Sequence, residues 1–317
     1  GRLDLCGSTD DISLNWTCIM TDITLLDGGM GQELVHRAGD KPTPLWSTQV
    51  MMDKPGLVAE VSRDFFAAGA SVATLNSYAI QRDRLAPVGL EDQFDALHAM
   101  ALKEASDARS AHGSGRIAGS MGPLGASYRP DIHPRADLAV PLYTEVAEQF
   151  KGKVDLVICE TVVSLEHTRC IVEGARAANV PIWCAFSVDD EDGTKLRSGE
   201  SVSEAAQIAK ELGAVAVLAN CSAPEVIPTA LTELSKVGLP FGAYANGFTQ
   251  ITKDFLKARP TVDALRMRED FTPEVYADHV MRWVDQGATL VGGCCEVGPA
   301  HIAEIAKRLR AAGHTLV

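Results

Sequence analysis

The feature that most restricts what this chain can fold into is a rhythm. Eight short apolar runs recur along it, each ending in a polar or glycine-rich tip and each followed by a segment with helical spacing of apolar residues. The expected strands cover 23–26, 71–75, 116–119, 154–159, 181–186, 215–219, 241–243 and 289–291. The expected helices cover 55–68, 90–111, 136–150, 165–178, 201–212, 223–236, 273–286 and 299–312. Helix starts are well marked. Ser201-Val202-Ser203-Glu204 has the form of a capping box, and Pro273 and Pro299 suit first turns, where a missing N–H costs little. Gly69, Gly213 and Gly287 mark stops. Eight strands alternating with eight helices fit a single (β/α)8 barrel, whose active site lies at the carboxyl ends of the strands. A doubly wound open sheet shares the alternation. It does not easily bring the tips of strands one, four, six and eight onto one centre, whereas a closed barrel does.

Composition narrows the class further. At 317 residues, with 46% hydrophobic content, the chain can bury a large core. A formal charge of −13 and scattered basic residues argue against a nucleic-acid partner. No apolar run approaches the roughly 20 residues that span a bilayer, so no membrane partner is expected. The eight cysteines, most of them in apolar runs and with no secretory leader in view, are expected to be reduced, which points to the cytoplasm. Residues 1–19 are polar and aperiodic and are expected to be a tag or upstream-translated segment outside the fold; the barrel domain then covers 20–317. Cys6 and Cys18 carry no functional weight on that reading.

The strand tips carry the chemistry. Val291-Gly292-Gly293-Cys294-Cys295 places two adjacent thiols where an apolar strand runs out, and Asn220-Cys221 closes another. Successive strand residues face opposite ways, so the two sulfurs converge only if the backbone turns, and Gly292-Gly293 offers that freedom. Three thiols at strand ends suggest three ligands, Cys221, Cys294 and Cys295, of one zinc ion with its fourth position open for chemistry. A structural zinc site or unreactive thiols is the competing reading, and no convincing fourth ligand for a structural site is in view. Cys159, Cys170 and Cys184 lie inside apolar elements and read as ordinary buried thiols. His301 reads as a helix-face histidine.

Glu160 follows the apolar run Leu156-Val157-Ile158-Cys159, where a carboxylate is costly to bury without a partner. A substrate ammonium would meet that cost; a structural Lys or Arg is the alternative. Asp27-Gly28-Gly29 is either a turn or a place where backbone N–H groups approach a ligand carboxylate. Trp46 and Tyr78 are core aromatics or π-faces for a cationic donor.

Here a resemblance becomes specific. Leu26-Asp27-Gly28-Gly29-Met30-Gly31, Pro44-Leu45-Trp46-Ser47, Asn76-Ser77-Tyr78, Gly119-Ser120-Met121-Gly122-Pro123, Cys159-Glu160-Thr161, Asn220-Cys221-Ser222-Ala223-Pro224-Glu225 and Gly292-Gly293-Cys294-Cys295 together resemble the homocysteine S-methyltransferase family, over about Thr24 to Leu309. The resemblance implies a zinc-bearing (β/α)8 barrel that methylates homocysteine to methionine. It implies Cys221, Cys294 and Cys295 as Zn2+ ligands and Asp27, Glu160 and the glycines as an amino-acid clamp, with Trp46, Asn76, Tyr78, Thr161 and Asn220 as further substrate-binding positions. Many members carry Arg-Thr-Thr-Pro after the double cysteine, where this chain has Glu296-Val297-Gly298-Pro299, which bears on donor identity. The partners implied are homocysteine and a small onium methyl donor: S-methylmethionine, S-adenosylmethionine, betaine or dimethylsulfoniopropionate. A methyltransferase for another thiol or selenol such as selenocysteine, or a non-catalytic zinc- or thiol-binding barrel, are the other readings.

Overall fold

The computed structural model describes residues 21–39, 45–247 and 268–317. The segment 1–19, with Cys6 and Cys18, and also Pro44 of the Pro-Leu-Trp-Ser stretch, lie outside the described residues.

All eight expected strands form: β1 (Asp22–Leu25), β2 (Val72–Thr74), β3 (Arg116–Met121), β4 (Leu156–Val162), β5 (Ile182–Phe186), β6 (Ala216–Asn220), β7 (Phe241–Ala245) and β8 (Leu290–Gly293). A ninth, β9 (Thr315–Leu316), pairs with the start of β1. Two residues give no readable period, which is why it was not expected. All pairings are parallel, in the order β2-β3-β4-β5-β6-β7-β8-β1-β9. The sheet curls far enough for its sides to approach. Leu26, directly after β1, bridges Val72 of β2, and the Ser71 N–H donates to the Leu25 carbonyl at 2.7 Å.

A parallel sheet buries both faces, so its strands read as continuous apolar runs, and the two-residue period decides which face each side chain serves. In β4, Val157 and Cys159 face the helical layer, while Leu156 and Ile158 join an inner cluster. That inner cluster also takes Leu26, Val72, Ala118, Trp183, Ala185, Ala216, Leu218, Tyr244 and Leu290. Its members come from strands all round the sheet, and they can touch only because the sheet wraps about them. The parity then carries on to the strand tips. Glu160 follows Ile158, Asn220 follows Leu218 and Ser120 follows Ala118 on the inner face, just beyond the apolar layer.

The helices match their sequence signals closely. Ala136–Phe150 forms as expected, and 165–178 becomes an α-helix, Leu165–Ala175, finished by a 3-10 turn, Arg176–Ala178. Ser201 caps Val202–Glu211 by accepting from the Glu204 N–H at 3.3 Å. Gly69 follows Leu57–Ala68 at φ 116°, a left-handed position that suits a residue with no Cβ. Two helices after β1, Met30–Arg37 and Ser47–Asp53, were not expected, because the stretch around them is short and broken by glycine and proline. Among the described residues no helix is long and apolar enough to cross a membrane.

Candidate active site

A cavity of about 320 Å³ opens at the carboxyl ends of the strands. Asp27, Gly28, Gly29, Trp46, Asn76, Tyr78, Glu160, Thr161, Asn220, Cys221, Cys294 and Cys295 all line it, joined by Thr74, Ser120, Tyr128 and Tyr244. His301 stays outside. Its Nδ1 accepts from the Gly298 N–H at 3.2 Å at the start of Pro299–Ala311, as expected of a helix histidine.

Three carboxylates line the cavity, Asp27, Asp83 and Glu160, and the hydrogen-bond partners of Asp27 and Glu160 among the described residues are neutral. Asp27 accepts from the Thr74 backbone N–H through Oδ2 and from the Thr74 hydroxyl through Oδ1, both at 2.7 Å. Burial pushes its pKa up to about 7; the two Thr74 bonds oppose that rise, and the nearby Glu160 charge adds to it. Glu160 accepts from the Tyr244 hydroxyl at 2.7 Å through Oε1 and from the Ser120 hydroxyl through Oε2. Burial raises its pKa too, and the two hydroxyls hold it down. Among the described residues no Lys or Arg hydrogen-bonds Glu160 or Asp27: the groups bonded to the two carboxyls are hydroxyls and the Thr74 amide. Ser120, Tyr244 and Thr74 were missed as site residues. Ser120 and Thr74 sit on the inner face one step past the apolar layer, a signal that could have found them, whereas Tyr244 belongs to that layer and carries no such signal.

The thiols are brought together in part. The sulfurs of Cys221 and Cys294 join, with their Cα atoms 5.7 Å apart. Cys295 remains a free, partly exposed thiol on the same wall, and burial of its sulfur, with help from Glu296 and Glu160, pushes its pKa up to about 12. Among the described residues no three His, Cys, Asp or Glu side chains gather closely enough to form a metal cluster. The expectation of reduced thiols therefore differs from the structure at Cys221 and Cys294, where strand-tip geometry sets two sulfurs against each other. Cys159, Cys170 and Cys184 are free and buried. As a donor set, three cysteines on one cavity wall fit a thiophilic divalent cation in kind.

The glycines act differently from the sequence expectation. Neither Gly292 nor Gly293 has a positive φ; the turning is done by Cys221 at φ 46° and Glu296 at φ 67°. What matters at the glycines is the missing Cβ. One built on Gly29 would stand 2.5 Å from the Cys294 carbonyl oxygen, one on Gly28 2.1 Å from that of Val297, and one on Gly293 2.0 Å from the Val297 side chain. Gly28 and Gly29 thus let the β1 tip press against the double-cysteine loop.

Backbone strain collects here. Of the six non-glycine residues with positive φ among the described residues, Trp46, Tyr128, Thr161 and Cys221 line the cavity and Glu296 follows Cys295. Each such conformation costs on the order of 1 kcal/mol or more and persists only where neighbours enforce it. Asn220 is one enforcer, its Oδ1 accepting from the Thr161 N–H at 3.1 Å while Nδ2 approaches Cys221 Sγ at 3.6 Å. Arg197, in a buried ion pair with Asp190 at 2.9 Å, donates to the Cys221 carbonyl at 3.0 Å.

The aromatics divide. The half-buried Trp46 ring lies over Gly31, where a Cβ would come within 2.7 Å of it. The Tyr78 hydroxyl and the Ser127 hydroxyl are 2.7 Å apart, and the Arg84 guanidinium sits 5.7 Å from the Tyr78 ring centroid, so one π-face of Tyr78 already has a cation. Asn76 donates to the Ser47 carbonyl at 3.1 Å and so fastens the segment that carries Trp46.

A curled parallel sheet with thiols and two buried carboxyls gathered in one cavity at its strand tips defines an α/β protein with a candidate active site at the carboxyl ends of its strands. The sequence profile of the homocysteine S-methyltransferase family matches residues 24–309, and the chain belongs to that family. It is 30% identical to the homocysteine S-methyltransferase of Escherichia coli over 90% of this chain and 95% of that enzyme. It is 27% identical to a selenocysteine methyltransferase of Astragalus bisulcatus, over 90% of this chain and 92% of that one. The metallated form of the E. coli homocysteine methyltransferase MmuM superposes with a TM-score of 0.76 at 28% identity, covering 91% of this chain and 96% of that one. The same enzyme solved in an oxidised form also gives 0.76.

Proposed function

We propose that this chain moves a methyl group from a small onium donor (S-methylmethionine, S-adenosylmethionine, betaine or dimethylsulfoniopropionate) to the sulfur of homocysteine, giving methionine. The observation that carries this is the pair of buried carboxyls, Asp27 and Glu160, both with raised pKa and neither hydrogen-bonded to a cation among the described residues, in a cavity walled by three cysteines. An amino-acid ammonium supplies the missing positive charge. It can share its hydrogens between Asp27 and Glu160, while Ser120, Tyr244 and Thr74 hold the two acceptors in place.

In this reading the fold is a single closed (β/α)8 barrel of residues 20–317. The Leu26–Val72 bridge and the shared inner cluster support closure. Cys221, Cys294 and Cys295 would hold a zinc ion. Bound there, it would supply the positive charge that keeps an acceptor thiol deprotonated at neutral pH, where a free thiol of pKa near 8.5 is mostly protonated. The chain's own part is to orient and to exclude water. The acceptor sulfur forms its bond to the methyl carbon as the donor's C–S or C–N bond breaks, and the electron pair leaves on a neutral sulfide or amine. No general acid is needed, in keeping with the absence of histidine among the described residues lining the cavity.

A second reading is favoured by the selenocysteine methyltransferase relatives, in which the acceptor is a selenol. One assay separates them. Zinc-loaded protein under reducing conditions is incubated with homocysteine or selenocysteine and each donor in turn. Methionine from homocysteine is the expected product. Methylation of selenocysteine alone would favour the second reading, and no product from any combination would leave a non-catalytic thiol-binding barrel.

A further inference from the structure

Charged groups are unevenly placed along the cavity. Asp27, Glu160 and the cysteines occupy its strand-tip floor, and among the described lining residues one cation is present, Arg84, on the short helix Arg82–Leu85 near the exposed Val88 at the mouth. Among the described residues Arg84 has no ion-pair partner within salt-bridge distance. Its Nη2 donates to the Pro123 carbonyl at 2.6 Å, its Nε donates to the same carbonyl at 3.1 Å and to Gln81 Oε1 at 3.3 Å, and its charge rests near the Tyr78 ring. All of these partners are neutral. The adjacent Asp83 also lines the mouth; its Oδ2 accepts from the Gly125 N–H at 2.5 Å, its Oδ1 has no hydrogen-bond partner among the described residues, and it makes no ion pair with Arg84. The bonds Arg84 makes among the described residues use Nε and Nη2, and no described group takes its Nη1 hydrogens.

We propose that Arg84 is a specificity-determining residue that receives the carboxylate of the methyl donor. The inference rests on the methyltransferase reading above and deepens it. A donor lying along the cavity puts its cationic, methyl-bearing end toward the carboxylates and cysteines, and its anionic end toward the one guanidinium. A guanidinium fixed by a backbone carbonyl and a ring face is preorganised for a carboxylate, because little side-chain freedom remains to be lost.

The test compares each acid with its own methyl ester, which removes the carboxylate charge and keeps the onium: dimethylsulfoniopropionate, glycine betaine and S-methylmethionine, each against its ester. Equilibrium binding to native protein and to Arg84→Gln reads the inference without turnover. For at least one pair the native protein should bind the acid about tenfold or more tightly than the ester, and Arg84→Gln should bring the two within about twofold by weakening the acid. Arg84→Lys, which keeps the charge and loses the fork, should restore part of the preference. Equal binding of acid and ester by the native protein, or an unchanged ratio in Arg84→Gln, overturns the proposal. So does a loss that falls on homocysteine, since Arg84 would then hold the acceptor's carboxylate. Should Arg84→Gln fail to fold by circular dichroism, the native ratio and Arg84→Lys decide alone. Methionine formation is read separately: acid preference without methionine sinks the methyltransferase reading and leaves the carboxylate site standing.

Discussion

Tyr244 of β7 donates its hydroxyl to Glu160 of β4 at 2.7 Å across the mouth of the curled sheet, although the two residues are 84 apart in sequence. With Ser120 on the other oxygen, the bond fixes the Glu160 carboxylate without neutralising it. Among the described residues only hydroxyls bond to it, and a buried carboxyl so held can still accept from a cation.

Glu160→Gln keeps the shape and removes the charge. Homocysteine binding should weaken about ten- to a hundredfold, the worth of a charge-assisted hydrogen bond of about 1.5–3 kcal/mol, while metal content stays unchanged. Tyr244→Phe should weaken it less. Steady-state kinetics with homocysteine varied decides this, and unchanged constants would return Glu160 to a purely structural role.

Asp27 gives a pH signature. A carboxyl whose pKa is raised to about 7 is largely protonated below that pH and cannot accept an ammonium as an anion. The kcat/KM for homocysteine should therefore fall as pH drops through about 7, and Asp27→Asn should flatten that limb at a low plateau. Stability runs the other way. The raised folded-state pKa means that the protonated form is the one the free fold tolerates; its contribution is full below the usual carboxylate range and is lost as pH rises through about 7. Asp27→Asn should thus raise Tm more at pH 8 than at pH 5. An acid limb that survives in Asp27→Asn would belong to another group.

Metal content tests the thiols. Reduced protein reconstituted with zinc should carry about one ion per chain, and Cys221→Ser, Cys294→Ser and Cys295→Ser should each lose most of it together with activity. Cys184→Ser, deep in β5 against Cys159, should keep both. Full zinc in all three single variants would remove the assignment.

Gly29→Ala probes the contact between the β1 tip and the double-cysteine loop. Its Cβ would meet the Cys294 carbonyl at 2.5 Å, and backbone gives way poorly. A loss of about 1–3 kcal/mol in unfolding free energy is expected from overpacking, with weakened metal retention. Denaturant melts and metal analysis check both, and an unperturbed variant would show that the loop is free to retreat.

Trp46→Leu keeps much of the apolar volume and removes the ring. If Trp46 faces the onium, the donor KM should rise severalfold, within the about 0.5–2 kcal/mol of a cation–π contact, and the homocysteine KM should hold. A change confined to homocysteine would make Trp46 a packing residue over Gly31.

The sequence by itself determined the alternation of strands and helices and the tips that would carry chemistry. It did so because periods of two and 3.6 residues, caps and glycine stops are local signals that survive without knowledge of the partner. Residues Asp27, Glu160, Asn220 and the three cysteines were legible for the same reason: each is a polar group set directly after an apolar run, a local contradiction that calls for an explanation. Only the tertiary structure decided what those groups meet. That Thr74 holds Asp27, that Ser120 and Tyr244 hold Glu160, and that Cys221 closes on Cys294 depend on sheet order, register and curl. The glycines show the same division. Their positions suggested backbone freedom, but their function is to let two strand tips approach within a distance a Cβ would forbid, a fact about neighbours far away in the chain. Which side chains share a cavity is set by the summed packing of the whole sheet, and no window of sequence contains that sum.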